Sequence, residues 1–344
     1  MEKNSGGTSA VNTPIDLVTG ATSRLGSLVA KKLIGLGHDV RVIVRRDPSS
    51  SEEWKHLSPG VKPYIADLTL KKASDEEVLK RACAGVNNIF HTASAVFNYK
   101  HTYDEFIETN VVGTENLINA ALAANSGKAM RFICAGSVSV YGYRRPNEVL
   151  DEESETHPES NYSKSKLMQE EVIKAYSEAN RELRYTILRY STLYGPGYEE
   201  SFFKIFKLLE EGKLRYIGDG NNHLALLHVN DAAEAMVAVS ESSKSINEIY
   251  NVSDGATHTV RSLYEFAAKL LNVPPPKRRV SGTMARIGSR FAGLKYDEFE
   301  FVTSDRIINI SKLIKDIGFR PRISIEEGGG ELIGEFLKTH HSVI

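Results

Sequence analysis

A glycine turn near the amino terminus constrains the fold of this chain more than any other stretch. The short apolar run 15–18 leads into the turn 19–26, after which apolar residues recur at helical spacing up to residue 36. A second, β-branched run at 40–44 then reads as a strand. A strand, a glycine turn, a helix and a second strand form the unit of a parallel nucleotide-binding sheet. We therefore predict an α/β fold built on a Rossmann-type, doubly wound parallel sheet.

The following residues continue the alternation of strands and helices. Further strands are predicted at 61–65, 88–92, 130–135 and 185–189. Helices are predicted at 75–84, 105–124 and 161–180. Because alternating strands and helices build a parallel sheet covered on both faces, this pattern extends the first unit into a complete dinucleotide-binding fold.

The residues of the glycine turn indicate a phosphate site. Gly20 permits a tight turn close to a pyrophosphate, and Gly26 allows the helix to pack closely on the strand. The helix amino terminus supplies N–H donors for the anion. Ser23 stands where the usual fingerprint has its middle glycine, and its hydroxyl could itself donate a hydrogen bond. A simple strand-to-helix turn is the alternative interpretation.

The end of the second predicted strand bears on cofactor choice. An acidic residue there accepts hydrogen bonds from a ribose diol, whereas an arginine accommodates the 2′-phosphate of NADP. This chain has Arg45 and Arg46, with Asp47 beyond the usual acidic position, and Arg24 in the turn could add positive charge near the same phosphate. The pattern favours NADP over NAD, although two solvated arginines at a loop edge would look the same.

Tyr162 and Lys166 are one helical turn apart at the start of an amphipathic pattern. On one helix face, the ammonium would lower the pKa of the phenol and make it a usable proton donor and acceptor near neutral pH. Taken alone, the pair is also compatible with a chance arrangement on a helix surface.

Composition argues against several classes of function. A net charge of -1 gives no electrostatic reason to expect nucleic acid or an anionic membrane as partner. No run approaches the roughly 18 apolar residues of a membrane span. Cys83 and Cys134 lie in apolar stretches and read as buried thiols of a cytoplasmic protein. The 10 histidines lack ligand spacing, so no catalytic metal is predicted, and residues 1–13 read as a disordered lead-in.

A series of short motifs, in a fixed order, extends these patterns over most of the chain. They lie at 19–26, 67–68, 91–95, 110–114, 137–142, 162 with 166, 188–197, 217–220, 228–231, 311–312 and 317–321. In order and spacing the chain resembles an extended short-chain dehydrogenase/reductase of the NAD-dependent epimerase/dehydratase superfamily. That superfamily includes nucleotide-sugar epimerases and dehydratases, 3β-hydroxysteroid dehydrogenases and dihydroflavonol reductases.

The resemblance implies a role for each matching residue. Tyr162 would be the acid/base, Lys166 would lower its pKa and bind the nicotinamide ribose, and Ser137 would bond the substrate oxygen. Asn110 would support this site, or could equally be an ordinary buried polar residue. Asp67 and Leu68 would contact the adenine, and Ala93 would pass near the pyrophosphate. The full set of implied cofactor-binding residues is Gly20, Thr22, Ser23, Arg24, Leu25, Gly26, Arg45, Asp67, Leu68, Thr92, Ala93, Ser94, Tyr162 and Lys166.

Two departures from the resemblance bear on the substrate. Nucleotide-sugar enzymes usually have an asparagine at the position of Thr192 and an arginine at the position of Leu224, both for the diphosphate. The chain is therefore more similar to the 3β-hydroxysteroid dehydrogenase and dihydroflavonol reductase branch, whose substrates are less charged, unless Arg215 or Arg261 supplies the charge. Three functions stay open: an NAD(P)-dependent alcohol/ketone oxidoreductase, a nucleotide-sugar epimerase or dehydratase, and a non-catalytic NADP-binding regulator.

The resemblance also implies a division of the chain. Residues 14–190 would form the Rossmann domain and 191–344 mainly a smaller carboxy-terminal substrate-binding lobe, with strands near 224–252 returning to the Rossmann body. A small-molecule substrate and a homodimer fit this organisation. The run Gly328-Gly329-Gly330 is unusual in a region that the resemblance makes helical.

Overall fold

The structure is a computed structural model of the chain that describes residues 13–57, 60–96, 101–285 and 303–341. The lead-in predicted at 1–13 lies outside these residues except for residue 13. None of the helices in the described ranges is long and apolar enough to cross a membrane.

Strands and helices alternate along the first part of the chain, as the sequence predicts. In order they are β1 (Ile15–Thr19), α1 (Arg24–Gly35), β2 (Asp39–Val44), α2 (Glu52–Leu57), β3 (Val61–Ile65), α3 (Asp75–Cys83), β4 (Asn88–His91), α4 (Tyr103–Phe106), α5 (Gly113–Ala124), β5 (Met130–Ser137), β6 (Arg144–Leu150), α6 (Asn161–Ala179) and β7 (Leu183–Tyr190).

The later part of the chain has shorter strands between its helices. They are β8 (Thr192–Tyr194), α7 (Glu199–Glu210), β9 (Tyr216–Ile217), β10 (His223–Leu224), β11 (Leu226–His228), α8 (Val229–Glu241), β12 (Glu248–Val252), β13 (His258–Thr259), α9 (Val260–Leu270), β14 (Arg279–Val280), β15 (Asp305–Ile308), α10 (Ser311–Ile317) and α11 (Ile325–His341).

The central sheet has seven parallel strands in the order β12-β7-β5-β4-β1-β2-β3. The strand order reverses next to β1, so the carboxyl ends of β1 and β4 open onto the crevice where a doubly wound sheet binds its ligand. The predicted Rossmann-type fold is confirmed.

Apolar side chains cover both faces of this sheet. One buried cluster joins the sheet to α1 and α8, and includes Val29, Leu33 and Met236. The second joins the other face to α3, α5 and α6, and includes Leu79 and Ile173. Helices α7, α9 and α11 pack on each other around a separate apolar cluster beyond the sheet.

Two predicted elements differ from the structure. The helix predicted at 105–124 is interrupted, because residues Ile107–Val112 form a π-helix between α4 and α5. Of the two later strands expected to return to the main body, Glu248–Val252 pairs with β7 in the central sheet, whereas Leu226–His228 pairs with β8 in a separate two-stranded sheet.

The glycine run at 328–330 lies inside α11. A Cβ on Gly328 would come within 2.8 Å of the His228 ring and 2.9 Å of the Tyr194 ring, and one on Gly329 within 3.0 Å of Phe266. The first two glycines therefore allow α11 to pack directly on β8, β11 and α9, which explains residues that the sequence left unexplained.

Candidate active site

The glycine turn is closed by its own side chains and backbone. Ser23 caps α1: its hydroxyl accepts a hydrogen bond from the Gly26 N–H at 3.3 Å and donates to the Gly20 carbonyl at 2.7 Å. The Ser23 proton is therefore used within the turn, whereas the sequence left it available for a phosphate. Gly20 has a positive φ of 72°, which a residue with a side chain rarely adopts.

The glycine turn packs tightly against the end of β4. A Cβ on Gly20 would lie 2.8 Å from the Ala93 nitrogen, and one on Gly26 would lie 2.7 Å from Thr92 Oγ1. Only glycine fits at both positions, so α1 begins close to the ends of β1 and β4, and its first N–H groups are of the kind that bind a pyrophosphate. Thr22 is exposed at the turn, and Leu25 is buried beneath it.

Arg24 extends away from the turn toward the segment after β8. Its aliphatic carbons lie against Gly197, where a Cβ would come within 2.7 Å of them, and its Nε is buried without a hydrogen-bond partner. The side chain thus connects the cofactor turn with the 195–198 segment rather than simply pointing into solvent.

The end of β2 carries the residues predicted to select the cofactor. Arg45 and Arg46 are both exposed there. The Asp47 carboxylate accepts a hydrogen bond from Ser49 N–H at 3.0 Å, which lowers the pKa of the carboxyl. Asp47 therefore caps its own turn and leaves the two arginines as the charged groups of this edge.

The residues implied for adenine and pyrophosphate follow β3 and β4. Asp67 accepts hydrogen bonds from the N–H and hydroxyl of Thr69, and Leu68 is buried. Thr92 Oγ1 donates to the Thr19 carbonyl at 2.6 Å and so ties the end of β4 to the end of β1.

Asn110, in the π-helix, joins three parts of the site. Its Oδ1 accepts hydrogen bonds from the Ser94 hydroxyl at 2.9 Å and the Ala95 N–H at 2.7 Å. Its Nδ2 donates to the Ser165 hydroxyl of α6 at 2.9 Å. The side chain, which is 0% exposed, fixes the segment after β4 relative to the helix that carries Tyr162. A π-helix at such a position is common in functional sites.

The three candidate catalytic residues come together at the carboxyl end of β5. The Ser137 hydroxyl donates to Ser139 Oγ at 2.9 Å and also hydrogen-bonds Tyr162. Burial raises the pKa of Tyr162 to about 12, against the opposing effect of the bond to Ser137. The shift is opposite to the direction that the Tyr–Lys spacing predicts, because burial of the phenol dominates and the lowering effect comes from Ser137 rather than from Lys166.

Lys166 is buried against the same strand, β5, with 1% of its surface exposed. Its Nζ donates to the Ala135 carbonyl at 2.6 Å and to Gln169 Oε1 at 2.5 Å. Burial lowers the pKa of the ammonium. The sequence pointed to Lys166 but not to its anchor, although Gln169 follows it by three residues on the same helix face.

A buried ion pair fixes α6 against the sheet. Arg189 on β7 bonds both carboxylate oxygens of Glu170, at distances of 2.8 to 3.2 Å. Its Nη1 donates to the Tyr141 hydroxyl at 2.8 Å. Burial alone would lower the pKa of Arg189, but the Glu170 carboxylate outweighs it and raises that pKa. This pair holds the helix register that presents Tyr162.

The residues that bear on substrate charge lie beyond β7. Thr192 and Leu224 are partly buried in β8 and β10. Arg261 places its guanidinium 4.7 Å from the Tyr216 ring centroid and donates to the Asp219 carbonyl, whereas Arg215 is exposed. Among the described residues, no group of three His, Cys, Asp or Glu side chains could hold a metal ion.

Comparison with known proteins identifies the family. The model of the NAD dependent epimerase/dehydratase family matches residues 17–253. The chain belongs to this family. The resemblance inferred from the motifs is thereby confirmed at the level of the family. The match does not specify a branch of the family.

Relatives within and around the epimerase/dehydratase family differ in their reactions. The chain is 26% identical to a 2-alkyl-3-oxoalkanoate reductase from Stenotrophomonas maltophilia, over 91% of this chain and 96% of that protein. It is 28% identical to a UDP-N-acetyl-alpha-D-glucosaminuronate decarboxylase from Bacillus cytotoxicus, over 93% and 97%. The UDP-glucuronic acid 4-epimerase from Bacillus cereus, solved with UDP-glucuronic acid and NAD, superposes with a TM-score of 0.74 at 21% identity, over 94% and 99%.

Proposed function

We propose that the protein is an NAD(P)-dependent enzyme that oxidises and re-reduces a secondary alcohol carbon of a nucleotide sugar, as an epimerase or dehydratase does. This proposal rests on the meeting of Ser137, Tyr162 and Lys166 at the end of β5, in a fold that has a glycine turn after β1. The substrate class is supported by relatives whose names specify UDP-sugars. We therefore favour the nucleotide-sugar function over the alcohol/ketone oxidoreductase that the sequence analysis favoured.

In this mechanism each residue has a separate task. The Ser137 hydroxyl donates to Ser139 Oγ in the structure; with substrate bound it would turn its proton to the substrate oxygen and hold that oxygen near the Tyr162 phenol. The Tyr162 phenol donates its proton as the carbonyl is reduced, and the phenolate takes a proton back as the alcohol is oxidised. Because burial raises the pKa of the phenol to about 12, the oxidation step needs positive charge beside the phenol, which a bound nicotinamide in its oxidised form would supply. Lys166 orients the nicotinamide ribose and stabilises the ionised phenol. The nicotinamide, when bound, supplies the hydride chemistry, so the protein contributes position and a proton.

The preference for NADP is part of the proposal. Arg45 and Arg46 at the end of β2 offer charge to a 2′-phosphate. Several solved structures of similar fold contain NAD. A titration of the protein with NADH and NADPH decides between the two cofactors.

A net ketone reductase is the second candidate. Thr192 and Leu224 stand where nucleotide-sugar enzymes usually carry diphosphate donors, and each missing charge-assisted bond would cost about 1.5 to 3 kcal/mol. The substrate of such a reductase would be less charged than a nucleotide sugar. One relative named above is a 2-alkyl-3-oxoalkanoate reductase. The helices α7, α9 and α11 would form the substrate lobe in either case.

One set of assays separates the candidates. Purified protein is incubated with UDP-glucose or UDP-glucuronic acid, and the sugars are separated afterwards. Conversion without net use of added NADPH supports the epimerase. Oxidation of NADPH with a ketone panel, and no thermal shift with millimolar UDP, would transfer the assignment to the reductase. Cofactor binding without turnover of any sugar or ketone tested would favour the non-catalytic regulator.

Tyr162→Phe tests the assigned chemistry in either enzyme. We expect turnover to fall by at least about 100-fold, since general acid–base catalysis typically contributes that much, while NADH affinity stays within about twofold. Tyr103→Phe, which changes an exposed tyrosine, is the matched control. Retained activity in Tyr162→Phe would overturn the role of the phenol.

A cytoplasmic location also belongs to the proposal. Cys83 and Cys134 are both free and buried, and burial raises the thiol pKa values to about 12 and about 11. Unpaired, unreactive thiols are compatible with a reducing compartment.

A further inference from the structure

A chain of buried polar side chains joins Lys166 to the glycine turn across the interior. Lys166 Nζ lies 2.5 Å from Gln169 Oε1, and Gln169 Nε2 lies 2.7 Å from Thr114 Oγ1. Thr114 Oγ1 is 2.8 Å from His91 Nε2, and His91 Nδ1 is 2.8 Å from Thr19 Oγ1. None of these five side chains is more than 1% exposed.

The direction of every bond in this chain follows from Thr114. Its single hydroxyl proton goes to the Asn110 carbonyl at 2.6 Å, so its oxygen must accept from both Gln169 and His91. His91 therefore carries its proton on Nε2, and its Nδ1 accepts from the Thr19 hydroxyl. Burial, with a smaller effect from Lys166, lowers the pKa of His91 to about 3, in agreement with a neutral ring.

The far end of the chain is the backbone around the cofactor turn. Thr19 Oγ1 accepts from the Ala93 N–H at 3.2 Å. That Ala93 nitrogen is the atom against which Gly20 packs. A displacement of Thr19 would thus shift the Ala93 and Gly20 backbone, where the pyrophosphate is expected.

The near end of the chain fixes the ammonium. Two of the three N–H groups of Lys166 are directed to Ala135 O and Gln169 Oε1. Gln169 cannot turn to follow another partner, because its amide is itself bonded to Thr114. The Ala135 carbonyl and the Gln169 amide therefore fix the directions of two of the three N–H groups of the ammonium.

We propose that Gln169 is a positioning residue for Lys166 and that, through Thr114 and His91, it couples the orientation of the ammonium to the dinucleotide turn. The inference rests on the proposed role of Lys166 in binding cofactor. Apolar residues of the same shape would fill this interior without the free-energy cost of burying polar groups, so a purely structural role would not require these types.

Charged and titratable groups around Lys166 and Tyr162 come from β4, β5, α6 and the segment after β8. Lys166 is faced by Cys134 on β5, His91 on β4 and Glu170 on its own helix. Tyr162 interacts with Ser137, and the phenol of Tyr198 lies within electrostatic range of it. A carboxylate introduced at position 169 would be a new negative charge in this set.

The test uses two variants that keep side-chain shape. Gln169→Met and Thr114→Val each remove one link of the hydrogen-bond chain from Lys166 to Thr19. The double variant completes a double-mutant cycle. Glu171→Gln, on the exposed face of the same helix, is the matched control. NADH dissociation constants come from fluorescence titration and need no substrate, and melting temperatures report stability separately.

We expect each single variant to weaken NADH binding about tenfold, and the double variant to be no weaker than either single one, since both cut the same chain. With an active substrate, kcat should fall while the sugar KM stays unchanged. Gln169→Glu should raise the pKa of the Lys166 ammonium that residue 169 contacts, and so move a pH limb governed by that ammonium upward by about one pH unit.

The opposite results would refute the role of Gln169. If the single variants bind NADH as tightly as Glu171→Gln does, the hydrogen-bond chain has only a structural role. The same conclusion would follow if the losses of NADH affinity multiply in the double variant. It would also follow from a lower melting temperature with an unchanged pH profile. If no substrate is turned over, the function proposed above fails, whereas the NADH cycle still decides the coupling.

Discussion

Gly26→Ala should show how tightly the cofactor turn is built. The new methyl carbon would lie 2.7 Å from Thr92 Oγ1 and still closer to the Gly20 carbonyl oxygen. Neither neighbour can move easily, because Thr92 Oγ1 is bonded to Thr19 O at 2.6 Å and Gly20 is backbone. Overpacking costs about 1 to 3 kcal/mol, and a backbone contact lies at the upper end of that range.

Alanine also has a helix-propensity advantage of about 1 kcal/mol over glycine. The net loss of unfolding free energy should then be about 2 kcal/mol for Gly26→Ala. Gly35 ends the same helix and has no heavy atom within 4 Å of an added Cβ. Gly35→Ala should therefore gain about 0.5 kcal/mol, which makes it the matched control.

Urea denaturation measures both changes, and fluorescence titration with NADH measures the effect on the turn. Because the clash pushes the backbone that faces the pyrophosphate, Gly26→Ala should weaken NADH binding more than about tenfold, or 1.4 kcal/mol, and Gly35→Ala should leave it unchanged. Equal stability and equal NADH affinity in the two variants would show that the turn yields to a methyl group and that our reading of its packing is wrong.

Two further predictions concern charge. Arg45→Ala should weaken NADPH binding far more than NADH binding in parallel titrations, with Arg46→Ala as the comparison; equal losses for both cofactors would argue against a 2′-phosphate contact. His258 Nε2 lies 2.6 Å from Asp254 Oδ2, and this bond raises the pKa of the imidazole. The pair therefore stabilises the fold fully below the unfolded pKa of about 6.5, and the stabilisation is lost as pH rises through the higher folded value. The unfolding free energy of wild type minus His258→Gln should shrink between about pH 6 and pH 9, and a constant difference would contradict the assignment.

The sequence predicted the central sheet well because its strands carry a strong local signal. Each predicted strand of the sheet lies within two residues of its observed bounds, and the glycine turn fixes how the first unit is wound. The π-helix at 107–112 could not be predicted, since it depends on Asn110 bonding to Ala95 and Ser165 rather than on local preference.

The candidate site was predicted only in part. Ser137, Tyr162 and Lys166 could be found from their spacing and family motifs, but their electrostatics could not. The raised pKa of Tyr162 and the anchoring of Lys166 by Gln169 arise from burial and from tertiary contacts. Gln169 belongs to no recognisable sequence motif. Its proposed role depends on a hydrogen bond to Thr114, which lies 55 residues away in the sequence.

The position of β12 has a consequence for how the chain must fold as it is made. β7 ends at Tyr190, and among the described strands it is β12, Glu248–Val252, that pairs with its outer edge. During synthesis at roughly 5 to 20 residues per second, the nascent sheet would wait several seconds for its last strand, with a parallel edge open to other chains. A fragment that stops at residue 190 would keep that edge open permanently, so we expect it to aggregate where a fragment extended through residue 252 stays dispersed. Light scattering of the two fragments would check this.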